Sequence, residues 1–367
     1  MLGQVESTTG TAAKNFGREA LLTMLVAMKL TILTANTDLV LEDRRSWTRA
    51  SIRLRAGALA APLASLGVCV KIIVANAVDA RRRDGSLFDG DVFWLSQSVE
   101  DWHTAFSALR AAGKPVVVDV CDDVFSMVGA GARMAELARQ ADAVTVSSQP
   151  LMALAAAQVD GPVHFLADAV EGERYLPGTC GVDGPVRLIW FGWQQKIGAL
   201  TAALDELRAL AKERPVALTC VTNPPASDPA LARILAAADT RLSVTVLPWT
   251  AATYAAHIHA ADFVLMPDAP VLRTSGKSDN RVHQAFWAGR LPIVTDRASY
   301  RHHARFACLH DSLYDGVTWA LGQRPAVLAA IAAAQDHIAA HATPAALAHR
   351  AREIFETVRR RANGGMP

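Results

Sequence analysis

With 367 residues, 51% of them hydrophobic, the chain can bury a large core, and its length suits two domains better than one. Its 37 basic and 35 acidic residues leave a formal net charge of +2, which excludes a global field that would recruit nucleic acid or a membrane surface, so any affinity for anions has to be local. The cysteines Cys69, Cys121, Cys180, Cys220 and Cys308 stand singly, with no CxxC and no metal-like spacing. That pattern suits a reducing cytosol and reads as small core residues.

In chain order, the first apolar stretch, residues 20–28, is too short to span a bilayer and lacks a cleavage site. "MKLTILTAN" reads as a domain's opening strand beginning at Met28, so residues 1–27 are expected to be an N-terminal extension, with weak peripheral membrane association as the alternative. Short β-like runs then alternate with alanine-rich amphipathic stretches, the pattern of parallel sheets covered by helices. A first set of strands is expected at 29–35, 69–75, 91–95, 115–120, 143–148 and 162–167. A second is expected at 185–192, 215–222, 242–249, 262–267 and 291–295, with 305–310 as a further candidate.

Between the two sets, "EGERYLPGTCGVDGP" interrupts both periodicities as a linker does. The expected organisation is therefore a first domain over 28–170, a linker over 171–185, a second domain over 186–342, and a C-terminal helix and tail over 343–367. Pro344 is expected near the first turn of that last helix. The fold class is α/β, with two Rossmann-like, doubly wound parallel-sheet domains facing a central cleft. In such a fold, ligands are expected beyond the carboxyl ends of the strands.

One stretch after a strand stands out. In "RTSGKSDNRVHQAFWAGRLPIVTDRASY", residues 273–300, Ser278 and Asp279 are candidate N-caps for a helix running through Arg281, Val282, Ala285, Phe286 and Ala288 to a stop at Gly289. A helix start offers unpaired N–H groups and partial positive charge; Lys277 adds a point charge and Arg281 a forked donor one turn on. Phosphate is the matching anion, against the plainer alternative of a capped helix with two solvated cations.

Other groups are weaker. Asp119, Asp122 and Asp123 in "DVCDDVF" read as turn or helix caps, with an acceptor contact or a divalent-cation site as alternatives. Arg49, Arg53 and Arg55 read as solvated helix positions, with an acceptor-phosphate clamp as the alternative; Arg49 and Arg53, four apart, share a face. His103 reads as a helix-surface residue. The spacing of His257, His259, His302 and His303 does not by itself make a metal site, and no general base is assigned.

Several of these pieces together carry a resemblance. "GKSDNRVHQAFWAGRLPIVTDRASY" resembles the segment of retaining GT-B glycosyltransferases, of the glycosyltransferase family 4 (group 1) type, in which a lysine, a serine and an arginine precede the sixth strand of the nucleotide-binding domain. "TRASIRLRAGALAAPLASLG", "GKPVVVDVCDDVF", "ADAVTVSSQPL", "VRLIWFG" and "LPWTAATYAAHIHAADFVLMPD" are similar to other pieces of that family, in the same order, over about residues 28–360.

The resemblance implies a nucleoside-diphosphate sugar as donor and a glycan, lipid-linked or small hydroxyl compound as acceptor. It further implies transfer with retention, in glycan or polysaccharide biosynthesis in the cytoplasm, without a metal or another cofactor. Gly192 matches the glycine that lets the chain pass close to the diphosphate. Lys277, Ser278, Asn280 and Arg281 match the phosphate-facing loop and helix start, with Lys277 and Arg281 assigned to stabilise the leaving β-phosphate. Pro248 and Trp249 fall at the base contact, where an indole is able to stack.

The chain also departs from the family. Gly276 and Gln284 occupy the positions of its paired glutamates, and Gln284 retains only hydrogen bonding to a ribose. Trp193 replaces the arginine after the first-strand glycine, leaving Lys196 as the nearest cation. Two alternatives follow: a GT-B-shaped binding or partner subunit with lost or weak catalysis, and a sugar-nucleotide epimerase.

Overall fold

The computed structural model describes residues 28–35, 49–96, 102–179, 184–223, 228–267, 276–306 and 308–364. The extension expected at 1–27 and Cys180 lie outside these residues.

Six strands, β1 (Lys29–Thr34), β2 (Cys69–Val74), β3 (Val92–Leu95), β4 (Val116–Val120), β5 (Ala143–Val146) and β6 (Val163–Phe165), form one sheet in the order β2-β1-β3-β4-β5-β6. Five more, β7 (Val186–Phe191), β8 (Val216–Val221), β9 (Leu242–Leu247), β10 (Phe263–Met266) and β11 (Leu291–Val294), form a second in the order β11-β10-β7-β8-β9. Every pairing within both sheets is parallel. Parallel strands need crossover connections, so helices cover both faces; the interior strands β3, β4, β5 and β10, and the edge strand β11, are buried along their whole length. That burial is the reason they read as largely apolar runs, with Asp119 of β4 and Thr145 of β5 as polar exceptions. The edge strand β9, LSVTVL, keeps exposed positions at Ser243 and Thr245.

The strand expected at 305–310 does not form. Ala298–Phe306 is a 3₁₀ segment instead, and Leu309 makes only an isolated bridge to Val294. Tyr300, His303 and Phe306 are all buried, and their spacing of three matches the three residues per turn of a 3₁₀ helix rather than the alternation of a strand.

Helix Asn280–Trp287 ends as its sequence indicates. Gly289 takes φ 75°, its N–H donates to Phe286 O at 2.9 Å, and the Arg290 N–H donates to Ala285 O at 3.0 Å. This is a Schellman closure, in which a glycine accepts the left-handed conformation and two orphan carbonyls are satisfied.

The last helix, Pro344–Ala362, opens with Thr343 accepting from the Ala346 N–H at 3.3 Å. Its buried face, with Leu347, Ala351, Ile354 and Phe355, shares a core with Leu30, Ile32 and Trp94 of the first sheet. The chain therefore crosses between the sheets twice, between β6 and β7 and again before Pro344, and the Val170 N–H meets Ala342 O at 2.9 Å. Of the cysteines, Cys121, Cys220 and Cys308 are buried as expected, whereas Cys69 is exposed on the edge strand β2. Among the described residues no helix is long and apolar enough to cross a membrane.

Candidate functional site

A cleft of about 820 Å³ runs between the two sheets, lined by segments that follow β4, β6, β7, β8 and β9 at their carboxyl ends, together with the start of helix Asn280–Trp287. In the second sheet the strand order reverses between β7 and β10. The backbones diverge at such a switch point and leave a crevice.

Gly192 sits there, one residue past β7. A Cβ at this position would lie 3.3 Å from Arg281 Nη1, so the missing side chain is what lets the guanidinium lie over the strand end, where Nη1 donates to Phe191 O at 3.3 Å. Lys196 follows on a short 3₁₀ turn, Gln194–Lys196. Burial, then the charges of Lys277 and Arg281, bring the Lys196 ammonium down to about 7, against a partial offset from Asp122. Arg297 and Tyr300 complete this wall. The crevice is thus a place where like charges are crowded together. Lys277 reaches across the cleft to the carboxylate of Asp122 in the first domain.

Beneath the cleft lies a paired network. Arg55, 1% exposed, donates through Nε and Nη2 to Asp119 at 2.6 and 2.5 Å, and through Nη1 to Leu166 O at 2.5 Å and Asp168 Oδ1 at 3.2 Å. Thr145 donates to Asp119 Oδ1 at 2.6 Å and accepts from Trp94 Nε1 at 3.0 Å. On the other side of Asp168, Oδ2 accepts from Ser278 Oγ at 2.6 Å and from Asn280 Nδ2 at 3.0 Å. Desolvation disfavours the Arg55 charge, but the neighbouring groups, Asp119 foremost with Asp168 beside it, together outweigh it and hold the guanidinium above its usual range. A bidentate pair with further acceptors at hand for the rest of the guanidinium is the arrangement in which a buried ion pair is tolerated.

The structure gathers Gly192, Trp193, Lys196, Trp249, Lys277, Ser278, Asn280, Arg281 and Gln284 along the cleft; Pro248 and Gly276 are not part of its lining. Gly276 takes φ 89°, a Cβ there would stand 3.1 Å from Leu151 Cδ1, and its carbonyl accepts from Ser148 Oγ at 2.9 Å. It is a domain contact that has no room for a longer side chain. Gln284, expected at a ribose, is 5% exposed, accepts from the Glu171 N–H at 3.3 Å and donates to Ala169 O at 3.5 Å. Ser278 and Asn280, expected to face phosphate, spend their side chains on Asp168. Ser278 does cap, accepting from the Asn280 N–H at 3.1 Å, but the Asp279 side chain makes no cap bond and turns to histidines. The Trp249 ring already carries the Arg53 guanidinium, 4.8 Å from its centroid, and Tyr254, 5.6 Å away. Trp193, 56% exposed, presents the more open indole.

The reading of Arg53 and Arg55 as solvated is overturned. Both are buried, on a π-helical turn, Ile52–Gly57, because carboxylates far along the chain receive them: Arg53 Nε donates to Glu171 Oε1 at 2.7 Å. The aspartates divide their work, with Asp119 on Arg55, Asp122 on Lys277, and Asp123 capping a short turn through Ser126 N–H at 3.3 Å. His103 pairs with Glu136 at the surface, 3.1 Å apart.

Compared with known proteins, the chain matches no family profile and no curated protein. Its structure does match solved ones. It is similar to Alr3699/HepE of Anabaena in complex with UDP (TM-score 0.64, 11% identity, 90% of this chain and 100% of that one). It is similar to sucrose-phosphate synthase of Thermosynechococcus elongatus (TM-score 0.63, 11% identity, 90% and 99%). The E. coli trehalose-6-phosphate structure bound with UDP-2-fluoro glucose is a third (TM-score 0.58, 11% identity, 98% of each chain). The chain adopts the GT-B fold.

In this GT-B cleft, sequence reasoning missed Asp168, Glu171, Asn223, Tyr254 and Arg297. Glu171 joins the halves at the crossing, accepting from Arg53 of the first domain and, at 3.2 Å, from the Tyr254 hydroxyl of the second. Position was the available signal: Asp168 and Glu171 follow β6, and Asn223 follows β8, where ligand-facing residues of an open α/β sheet belong.

Proposed function

We propose that this chain is a glycosyltransferase that holds a nucleoside-diphosphate sugar against the second sheet and moves its sugar to a hydroxyl acceptor approaching from the first. The observation that carries the reading is the cation group at the β7/β10 switch point: Lys196, Lys277 and Arg281 converge around a side-chain-free Gly192. Like charges held together in a partly desolvated crevice repel one another, and a diphosphate relieves that repulsion while accepting hydrogen bonds from the forked guanidinium. The likeness to GT-B structures holding UDP and UDP-2-fluoro glucose supports the same ligand class.

In the proposed reaction, the bond between the anomeric carbon and the β-phosphate oxygen breaks and its electron pair stays on the leaving diphosphate. The acceptor oxygen bonds to the anomeric carbon on the face the diphosphate leaves, and the hydroxyl proton passes to a departing phosphate oxygen, which gives retention. Lys196 and Arg281 oppose the charge that grows on the leaving group, so they stabilise the transition state more than the ground state. Lys277 joins them by exchanging Asp122 for phosphate. The open indole of Trp193 offers a stacking face for the base.

Titration calorimetry with uridine, guanosine and adenosine diphosphates and their sugars tests the donor site; no binding by any of them overturns the reading. Release of nucleoside diphosphate in the presence of acceptors, with the anomeric configuration of the product read by NMR, tests transfer and retention. Binding without turnover across a broad acceptor panel favours the GT-B-shaped binding subunit, for which Gly276 and Gln284 at the family's glutamate positions are the motive.

A further inference from the structure

Beside the cleft, outside its lining, four side chains from two segments meet. Asp279 precedes helix Asn280–Trp287, His283 lies one turn into it, and His302 and His303 come from the 3₁₀ segment. Nε2 of His302 and Nε2 of His303 each lie 2.9 Å from Asp279 Oδ2, and Nε2 of His283 lies 3.6 Å from the same oxygen. One ligand atom from each of the four residues falls within 4.8 Å of the others. The side chains of Asp279, His283 and His303 are 3%, 6% and 1% exposed, and that of His302 is 41% exposed.

Hydrogen bonding alone does not account for this cluster. One carboxylate oxygen faces three imidazole nitrogens, more than its two lone pairs satisfy, while the other oxygen, Asp279 Oδ1, is buried with no hydrogen-bond partner. A buried carboxylate oxygen left without a partner is costly. A divalent cation answers both defects, because imidazole lone pairs become ligands and the carboxylate gains a counter-charge. With bonds of about 2.0–2.1 Å to zinc, the edge of a ligand tetrahedron is about 3.3–3.4 Å. The observed nitrogen–oxygen separations of 2.9 to 3.6 Å span that length.

We propose that Asp279, His283, His302 and His303 form a zinc site with three nitrogen donors and one oxygen donor. Four protein ligands close the coordination sphere, so the site is structural, and imidazole with carboxylate is a donor set suited to zinc. The site holds no group assigned to donor or acceptor and stands independently of the glycosyl-transfer reading. Its mechanical effect follows from position. Asp279 lies between Ser278 and Asn280, the two residues that tie the second domain to Asp168, so zinc would pin that helix start to Ala298–Phe306.

The test uses the full chain without a polyhistidine tag. Elemental analysis after dialysis is expected to find one zinc per chain, and metal-free protein loaded with Co²⁺ is expected to show the intense visible band of a four-coordinate ion. Added Zn²⁺ is expected to raise the melting temperature of the metal-free wild type and to leave that of a His302→Gln/His303→Gln variant unmoved. Because burial of His303 puts the folding of that variant at risk, His302→Gln alone, at the exposed ligand, is the second variant. It is expected to keep the wild-type circular dichroism while binding Zn²⁺ roughly tenfold or more weakly. Metal-free wild-type protein that takes up no zinc, or uptake and a cobalt spectrum unchanged in His302→Gln, overturns the proposal.

Discussion

Arg55 and Lys196 are both cations that folding has withdrawn from water, and their surroundings treat them in opposite ways. Arg55 lies beneath the cleft with Asp119 and Asp168 within hydrogen-bond reach, and it is held above its usual range. Lys196 lies on the cleft wall with Lys277 and Arg281 as neighbours, and it is brought down to about 7. The first arrangement is complete and serves to hold two domains in register through Ser278 and Asn280. The second becomes favourable only when an anion arrives. Charge that supports structure is paired within the chain, whereas charge that serves a ligand is left crowded, and the difference separates the two regions more clearly than residue type does.

The sharpest way to break this comparison is to unpair the lower network. Asp119→Ala leaves Arg55 buried without its main partner and is expected to cost about 3–5 kcal/mol, read as a fall in the urea midpoint. A loss under 1 kcal/mol would show that Arg55 is not dependent on Asp119. On the cleft wall the sign is expected to reverse. Arg281→Ala and Lys196→Ala should each weaken nucleoside-diphosphate binding by about 1.5–3 kcal/mol, tenfold or more, without lowering the urea midpoint. Calorimetry on each variant reads this, and unchanged affinity in both would remove the wall from the site.

Gly276→Ala probes the contact between the domains. It forces a Cβ into the left-handed region against Leu151 and is expected to cost about 1–2 kcal/mol in the same denaturation experiment. The mildest probe is pH. The unfolded lysine titrates at 10.5 and the folded one at about 7; between these values the unfolded chain binds more protons, so this group's contribution to stability rises with pH across that window. Diphosphate binding should run the other way. An anion restores the charged ammonium, so binding takes up a proton above pH 7 and affinity falls as pH rises. Calorimetry in buffers of different ionisation enthalpy, with Lys196→Met as the control that loses the proton uptake, measures it.

Much of the architecture was legible along the chain. Strands such as VFWL and FVLM are unbroken apolar runs because both of their faces are covered, and Gly289 and Pro344 mark helix boundaries through local backbone preference alone. Within the cleft, the grouping of Lys277, Ser278, Asn280 and Arg281 was visible because those residues are neighbours in sequence. The tasks of their side chains were not visible. Ser278 and Asn280 bond an aspartate 110 and 112 residues away, and Arg53, which reads as a solvated helix position, meets Glu171 at a separation of 118.

By itself, then, the sequence determined two parallel sheets, the helices between them and a local concentration of cations after a strand, since each rests on interactions within a few residues or on the periodicity of burial. The tertiary structure alone decided which charges neutralise one another, which stay crowded on the cleft wall, and that Asp279 meets three histidines. Ion pairing and ligand geometry depend on distances in space. Segments that lie far apart along the chain acquire those distances only when the two sheets and the crossings between them have packed.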